Sequence, residues 1–253
     1  FITALRGAFI YNDAPLRKDK SFFFARLIAE SSGNVLAAVN AIGNQNPNSQ
    51  GYYEVLGVRF AQYAKIDIDI RQTKQLSNDQ YFAYRLHTGV AFPYGNSVII
   101  PFERRYFIGG ANSIRGWRPR SIGPGSSQTG INEVLDHSGE IILESSVEYR
   151  FDIFRPLLKG ALFFDAGNIW TSRYNDISPN ASFRASRFLY DLAINTGIGF
   201  RFDFEVFIMR FDLGIPLRDP SIKDINKWKF GNNQKALDVF NASILNFGVG
   251  YPF

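Results

Sequence analysis

The feature that most restricts the fold is an apolar–polar alternation of period two, carried over long runs. Residues 64–71 read Ala-Lys-Ile-Asp-Ile-Asp-Ile-Arg, so Ala64, Ile66, Ile68 and Ile70 share one face and Lys65, Asp67, Asp69 and Arg71 the other. Strand side chains point alternately to opposite faces, whereas a helix repeats every 3.6 residues, so the run specifies a strand with one oily and one charged face. In 140–151, Ile141, Leu143, Val147, Tyr149 and Phe151 oppose Glu140, Glu144, Ser146, Glu148 and Arg150. In 191–202, Leu192, Ile194, Ile198, Phe200 and Phe202 oppose Asp191, Asn195, Gly197, Gly199 and Arg201. In 83–92, Tyr84, Leu86, Val90 and Phe92 oppose Arg85, His87 and Gly89.

Nine strands are expected, over 2–11, 21–38, 55–74, 80–94, 138–152, 160–171, 189–203, 205–216 and 242–253. Ser31, Ser32 and Gly33 interrupt the second. Short helical pieces are expected only within 40–52 or 217–240. Connections 12–20, 75–79, 153–159 and the Asp203-Phe204 reversal are short, while 39–54, 95–137, 172–188 and 217–241 are long, and the two sorts alternate strictly. Antiparallel up-and-down strands with tight turns at one rim and long loops at the other give this order, which is the plan of an outer-membrane β-barrel.

A soluble sandwich also alternates, but its core is apolar and its outside polar. Here the charged face is dense, and most strands reach the roughly 9–11 residues needed to cross a bilayer at a tilt. Aromatic residues make up 16% of the 253 residues, which fits interfacial girdles and a lipid-facing surface bearing Tyr149, Phe200, Phe202 and Phe211. The reading is therefore an all-β, transmembrane antiparallel barrel in a single domain. No run of about 18 apolar residues provides a membrane helix. With no Cys, a disulfide scaffold, a zinc ribbon and a thiol nucleophile are excluded. The chain opens on Phe1 without a basic-then-apolar leader, which predicts a processed or excised piece of a longer protein.

The loop 95–137 is far longer than a turn requires, and long ordered loops are usually functional. Its middle, Phe107-Ile108-Gly109-Gly110-Ala111-Asn112-Ser113-Ile114-Arg115-Gly116-Trp117-Arg118-Pro119-Arg120-Ser121-Ile122-Gly123-Pro124-Gly125, is rich in glycine and arginine. A nucleotide loop is disfavoured because no Gly-Lys-Ser/Thr follows. A nucleic-acid patch is weakly supported, since the rest of the chain is not basic. The remaining reading folds the loop into the barrel, where an arginine meets inward carboxylates. Asp67 and Asp69 are best explained as charged lumen residues, as is His87, while His137 lies in the loop. Two His without clustered ligands make no metal site, and no serine-nucleophile elbow is present. No enzyme activity and no cofactor are expected.

The Gly-Gly…Ser-Ile-Arg-Gly-Trp run resembles the arginine-glycine-aromatic loop of the BamA/TamA superfamily of outer-membrane assembly proteins, which lies between the eleventh and twelfth of sixteen strands. Phe163-Phe164-Asp165-Ala166-Gly167 is similar to that family's Phe-x-Asp-x-Gly strand, and Ser146-Val147-Glu148-Tyr149 to the preceding strand. Asn246-Phe247-Gly248-Val249-Gly250-Tyr251-Pro252-Phe253 looks like its terminal β-signal. The extended loop looks most like the TamA-like lipoprotein (TamL) branch.

The resemblance makes 1–253 the C-terminal strands 8 to 16 of a sixteen-stranded barrel, without the periplasmic POTRA repeats and first strands. It implies a loop motif of Ile114, Arg115, Gly116 and Trp117, with Arg115 held by Glu148 and Asp165. The strand motif is Phe163, Asp165 and Gly167, with Trp117 and Phe163 packed inside against the loop. Asn246, Gly248, Gly250, Tyr251, Pro252 and Phe253 would form a terminal signal and a weak lateral gate. Pro252 cannot donate to a ladder, and the glycines remove inner packing. The implied function is protein insertion or translocation at the bacterial outer membrane. Implied partners are outer-membrane lipids, client barrel proteins and periplasmic or lipoprotein accessory subunits, with no nucleic acid. A two-partner secretion pore, a passive porin and a surface-binding barrel are the rival readings.

Overall fold

The alternating segments pair into one antiparallel meander. A computed structural model describes residues 1–13, 21–127, 137–174, 178–222, 227–229 and 241–253. In chain order its elements are β1 (Ala4–Asn12), β2 (Phe22–Ser32), α1 (Asn34–Ile42), the two-residue strands β3 (Glu54–Val55) and β4 (Val58–Arg59), β5 (Tyr63–Ser77), β6 (Gln80–Pro93), β7 (Ile141–Phe154), β8 (Leu158–Trp170), β9 (Ala193–Asp203), β10 (Ile208–Arg218) and β11 (Ile244–Val249). β3 and β4 form a small hairpin of their own. The other nine strands make one sheet in the order β1-β2-β5-β6-β7-β8-β9-β10-β11. Each strand is antiparallel to its neighbours. The sheet is open, with β1 and β11 as its two edges.

The two faces are inverted relative to a water-soluble sheet. On β5, Asp67 and Asp69 are buried while Ile66 is 48% exposed. On β7, Glu144, Ser146, Glu148 and Arg150 are buried. Leu162, Phe164, Ile198, Phe200, Leu245 and Phe247 project from the opposite face, and all are exposed. Aromatic contacts run across it, with Phe211 5.9 Å from Phe202 and 5.4 Å from Phe247 between ring centroids. A continuous apolar outer face with a charged, loop-covered inner face is stable where hydrocarbon bathes the outside. No helix among the described residues is long and apolar enough to cross a membrane.

Several expected boundaries move. The second strand stops at Ser32 instead of continuing to 38, and α1 follows at Asn34–Ile42, ahead of the helical piece expected within 40–52. Gly33 turns the chain with φ 78°, and the following Val-Leu-Ala-Ala-Val run then coils. The third strand begins at Tyr63, because Leu56 and Gly57 both adopt positive φ and close the β3–β4 hairpin instead. The Asp203-Phe204 reversal is wider and spans 204–207, with the Phe204 N–H bonded to the Phe207 carbonyl. The strand expected from 189 begins at Ala193, after a 3-10 turn over Phe188–Asp191. The last strand is only Ile244–Val249, because Gly250 at φ 81° turns the chain out of the sheet. Most of the helical piece expected within 217–240, and parts of the connections 12–20, 95–137 and 172–188, lie outside the described residues.

Gly33 is a position where the turn needs glycine. A Cβ there would meet the Ala61 backbone at 2.5 Å in addition to the unfavourable φ. Gly33→Ala is expected to cost about 1–3 kcal/mol, measured as a lower urea midpoint with an unchanged slope. A shift within error would remove the backbone argument.

Candidate functional site

The inner face of β7 to β11 is laid out in rows fixed by strand register. Glu148 lies opposite Phe163, Phe163 opposite Gly197, and Gly197 opposite Gly214. In the next row Ser146 faces Asp165 and Asp165 faces Asn195. On the other side of the first row, Arg150, Ala161, Gly199, Asp212 and Asn246 run across all five strands. Gly197 makes room for the Phe163 ring and Gly214 for the Arg115 carbonyl and Gly116 nitrogen, so the long loop lies in a trough over Gly214.

The loop is folded on itself before it meets the wall. Backbone bonds join Gly110 N–H to the Trp117 carbonyl (2.9 Å) and Arg120 N–H to the Ile108 carbonyl (3.0 Å). Gly109 and Gly110, at φ 100° and 93°, allow the sharp bend. Tyr106, Ile108, Ile114, Trp117 and Ile122 of the loop pack on Ile142, Ile169 and Ala193 of the wall. This apolar patch anchors the loop, and the charged side chains lie beside it.

Arg115 is 1% exposed, so its charge must be met within the protein. Its Nε and Nη2 donate to Asp165 Oδ2 and Oδ1 at 3.0 and 2.8 Å, a two-pronged grip that a planar guanidinium suits. Nη1 donates to Glu148 Oε2 at 2.7 Å and lies 3.7 Å from Asp212 Oδ2. The Arg115 backbone N–H reaches Asp165 Oδ2 at 3.2 Å, and Asn195 Nδ2 donates to the same oxygen at 3.0 Å. The Phe163 ring lies 3.5 Å below the guanidinium carbon, which adds a cation–π contact. Burial alone would lower the Arg115 pKa, but Asp165, then Glu148 and Asp212, reverse this and raise it above the ordinary arginine value.

The cluster extends beyond the pair expected from sequence. Glu148 Oε1 also accepts from Arg150 Nε (2.8 Å) and Arg201 Nη2 (2.9 Å). Asp212 lies 2.7 Å from Arg201 Nη1 and 3.5 Å from Arg210 Nε. Arg210 Nη2 donates to Asn112 Oδ1 in the loop at 2.7 Å. Ser113 Oγ bonds Glu144, whose other oxygen is 3.1 Å from His87 Nδ1, and His87 Nε2 is 3.0 Å from Asp67. Arg201, Arg210, Asp212, Asn195, Asn112 and Ser113 were not singled out from sequence. Arg201 and Asn195 already stood on the polar parity of 191–202, and Asp212 alternates with Phe211 and Leu213. Strand parity was therefore the signal that could have found the four wall residues, whereas Asn112 and Ser113 lie in the loop, where parity does not apply.

Other expected site residues are placed as follows. Gly116 rests against Asn195, where a Cβ would come within 2.6 Å of the Asn195 side chain. Gly167 leaves room for Ile108 of the loop beside the Leu143 carbonyl. Asn246 and Gly248 face inward on β11. Beyond it, the Gly250 N–H bonds the Ile208 carbonyl at 2.8 Å. Pro252 is buried, and the Tyr251 and Phe253 rings lie 4.4 and 5.5 Å from the Arg150 guanidinium. The tail thus turns back onto the same charged network. Among the described residues, no three His, Asp or Glu are grouped to hold a metal ion.

A family model described as the Omp85 superfamily domain matches residues 31–235, a span holding the loop, the carboxylates and strands β5 to β10. The chain belongs to the Omp85 superfamily. Among Omp85-related curated proteins, the sorting and assembly machinery component 50 homolog of Bos taurus is 27% identical over 124 residues, covering 48% of this chain and 26% of its own. The outer membrane protein assembly factor BamA of Neisseria meningitidis is 26% identical over 161 residues, covering 56% of this chain and 20% of its own. The chain therefore spans a fifth to about a third of the length of the curated relatives it matches. The structure of BamA from Haemophilus ducreyi lacking POTRA domains 1–3 superposes with a TM-score of 0.51 at 13% identity, over 98% of this chain and 53% of that one. At that identity the likeness concerns the fold: the open nine-stranded antiparallel sheet follows part of the BamA fold.

Proposed function

We propose that this chain is the C-terminal wall, strands 8 to 16, of a sixteen-stranded Omp85 barrel in a bacterial outer membrane. In this reading the barrel inserts or translocates client proteins without covalent catalysis or cofactor. The TamA-like lipoprotein branch is the subfamily its loop fits best, and periplasmic or lipoprotein subunits would deliver the clients. The observation that carries the reading is the seating of Arg115 on Glu148 and Asp165 by a loop folded against the inner wall. A passive pore has no need of a buried arginine clamp between a loop and two wall strands. Supporting it, β11 is six residues long beside neighbours of eleven to fifteen from β5 to β10, so the edge it presents is the shallowest of the sheet. A client strand could add to such an edge through main-chain hydrogen bonds.

The test uses the complete protein reconstituted in liposomes with an unfolded barrel client. Insertion, followed as heat-modifiable and protease-protected client, is expected to exceed that in empty liposomes by at least an order of magnitude. A disulfide joining the terminal strand to the strand that closes the barrel is expected to abolish the excess until it is reduced. Insertion no faster than in empty liposomes would refute assembly activity, and insertion indifferent to the disulfide would refute the gate.

A further inference from the structure

Arg115 is held at both ends by different parts of the wall. Its guanidinium is fixed to Glu148 on β7 and Asp165 on β8. Its carbonyl accepts a hydrogen bond from Asn246 Nδ2 on β11 at 2.8 Å, three strands away from β8. Asn246 is only 9% exposed and stands opposite Asp212 in the inner row. Two glycines make the contact possible. A Cβ on Gly214 of β10 would occupy the place of the Arg115 carbonyl, and one on Gly248 of β11 would meet the Arg210 guanidinium at 2.5 Å. Arg210 in turn holds Asn112 of the loop, so the inner face of β11 meets the loop directly at Asn246 and through Arg210 at Gly248.

We propose that Asn246 is a latch that couples the position of the terminal strand to the seating of the Arg115 loop. β11 spans six residues, so its six-pair ladder with β10 is the shortest between strands of the long sheet. The Asn246 bond adds a hold that does not run through that ladder. For β11 to swing out, the Asn246 amide must leave the Arg115 carbonyl or draw the loop with it. Coupling of this kind is reciprocal: whatever unseats the loop loosens β11, and whatever frees β11 loosens the loop. Asn246 acts through the loop and the strand, so it is a positioning residue. The latch rests on the gate reading only for its use, and its geometry stands apart from it.

The experiment is hydrogen–deuterium exchange on the complete protein in lipid nanodiscs, read on peptides covering 244–249 and 110–118. Asn246→Ala removes the donor and leaves the buried Arg115 carbonyl without it. Exchange is expected to rise about three- to tenfold in both peptides, with β5 and β6 unchanged. Asn246→Ala confined to 244–249, or moving neither peptide, overturns the latch. Arg115→Lys provides the approach from the other end, and serves if the Asn246 variant does not assemble. Its changed side chain touches β7, β8 and, at 3.7 Å, Asp212 on β10, but makes no hydrogen bond to β11, yet faster exchange at 244–249 is expected, and none there overturns the proposal. Client insertion is assayed on the same variants. Coupled exchange with unaltered insertion sinks the gate and keeps the latch. Uncoupled exchange with altered insertion does the reverse.

Discussion

Arg115→Ala is expected to lower the stability of the folded barrel by about 3–5 kcal/mol, because it strands buried carboxylates that the arginine now neutralises. Glu148 and Asp165 are both fully buried, and Asp165 takes three of its hydrogen bonds from Arg115. Glu148 keeps Arg150 and Arg201, so the larger part of the loss falls on Asp165, which among the described residues retains the side-chain bond from Asn195 alone. Arg115→Lys keeps the charge but not the fork, and an intermediate loss is expected. The measurement is the urea midpoint of the complete protein in lipid, at low and at high salt. Because the cluster is buried, the loss should hardly depend on salt. A loss below about 1 kcal/mol that shrinks with salt is the behaviour of a solvated surface pair, and would remove Arg115 from the centre of this site.

Gly214→Val is expected to unseat the loop without touching any charged residue. The space beside the Gly214 Cα is filled by the Arg115 carbonyl and the Gly116 nitrogen. Those are backbone atoms pinned by Asp165 and Asn246, so they cannot yield as a flexible side chain would. Overpacking of this kind typically costs about 1–3 kcal/mol where the site can relax. Here relaxation means lifting Arg115 from its carboxylates, which adds the penalty of the first variant. Limited proteolysis after Arg115 and Arg118 reads the outcome: both sites should become cleavable at least tenfold faster than in the native protein. Gly7→Val on β1, where a Cβ would meet open space and the backbone has no positive φ, controls for a general effect of valine at a glycine. Equal protease resistance of Gly214→Val and the native protein would show that the loop does not depend on that trough.

Strand and turn were legible to different degrees. The alternation in 64–71 or 140–151 is a local property, since successive side chains of an extended chain must point to opposite sides whatever surrounds them. It therefore places Asp67, Asp69, Glu148 and Arg150 together on one face before any fold is known. It does not say where a strand ends. The second strand is expected to run through to 38, but Gly33, packed under Ala61, turns the chain and the apolar run after it forms a helix. The last strand is expected to run to 253, whereas Gly250 turns the tail onto Arg150.

Of the site, the resemblance named Arg115, Glu148 and Asp165, and parity alone could have added Arg201 and Asp212. No local signal ties Asn246 to the Arg115 carbonyl or makes Gly214 the bed of the loop. Those relations join residues 131 and 99 positions apart, and they exist only after strand register aligns them.

The sequence by itself therefore determined a one-sided amphipathic sheet, its long-loop rim and the identity of the charges on its inner face, because these follow from period two and residue type. The tertiary structure decided which charges meet, which glycines make room and which strand the loop holds, because a hydrogen bond or a steric gap depends on distances that no local pattern encodes.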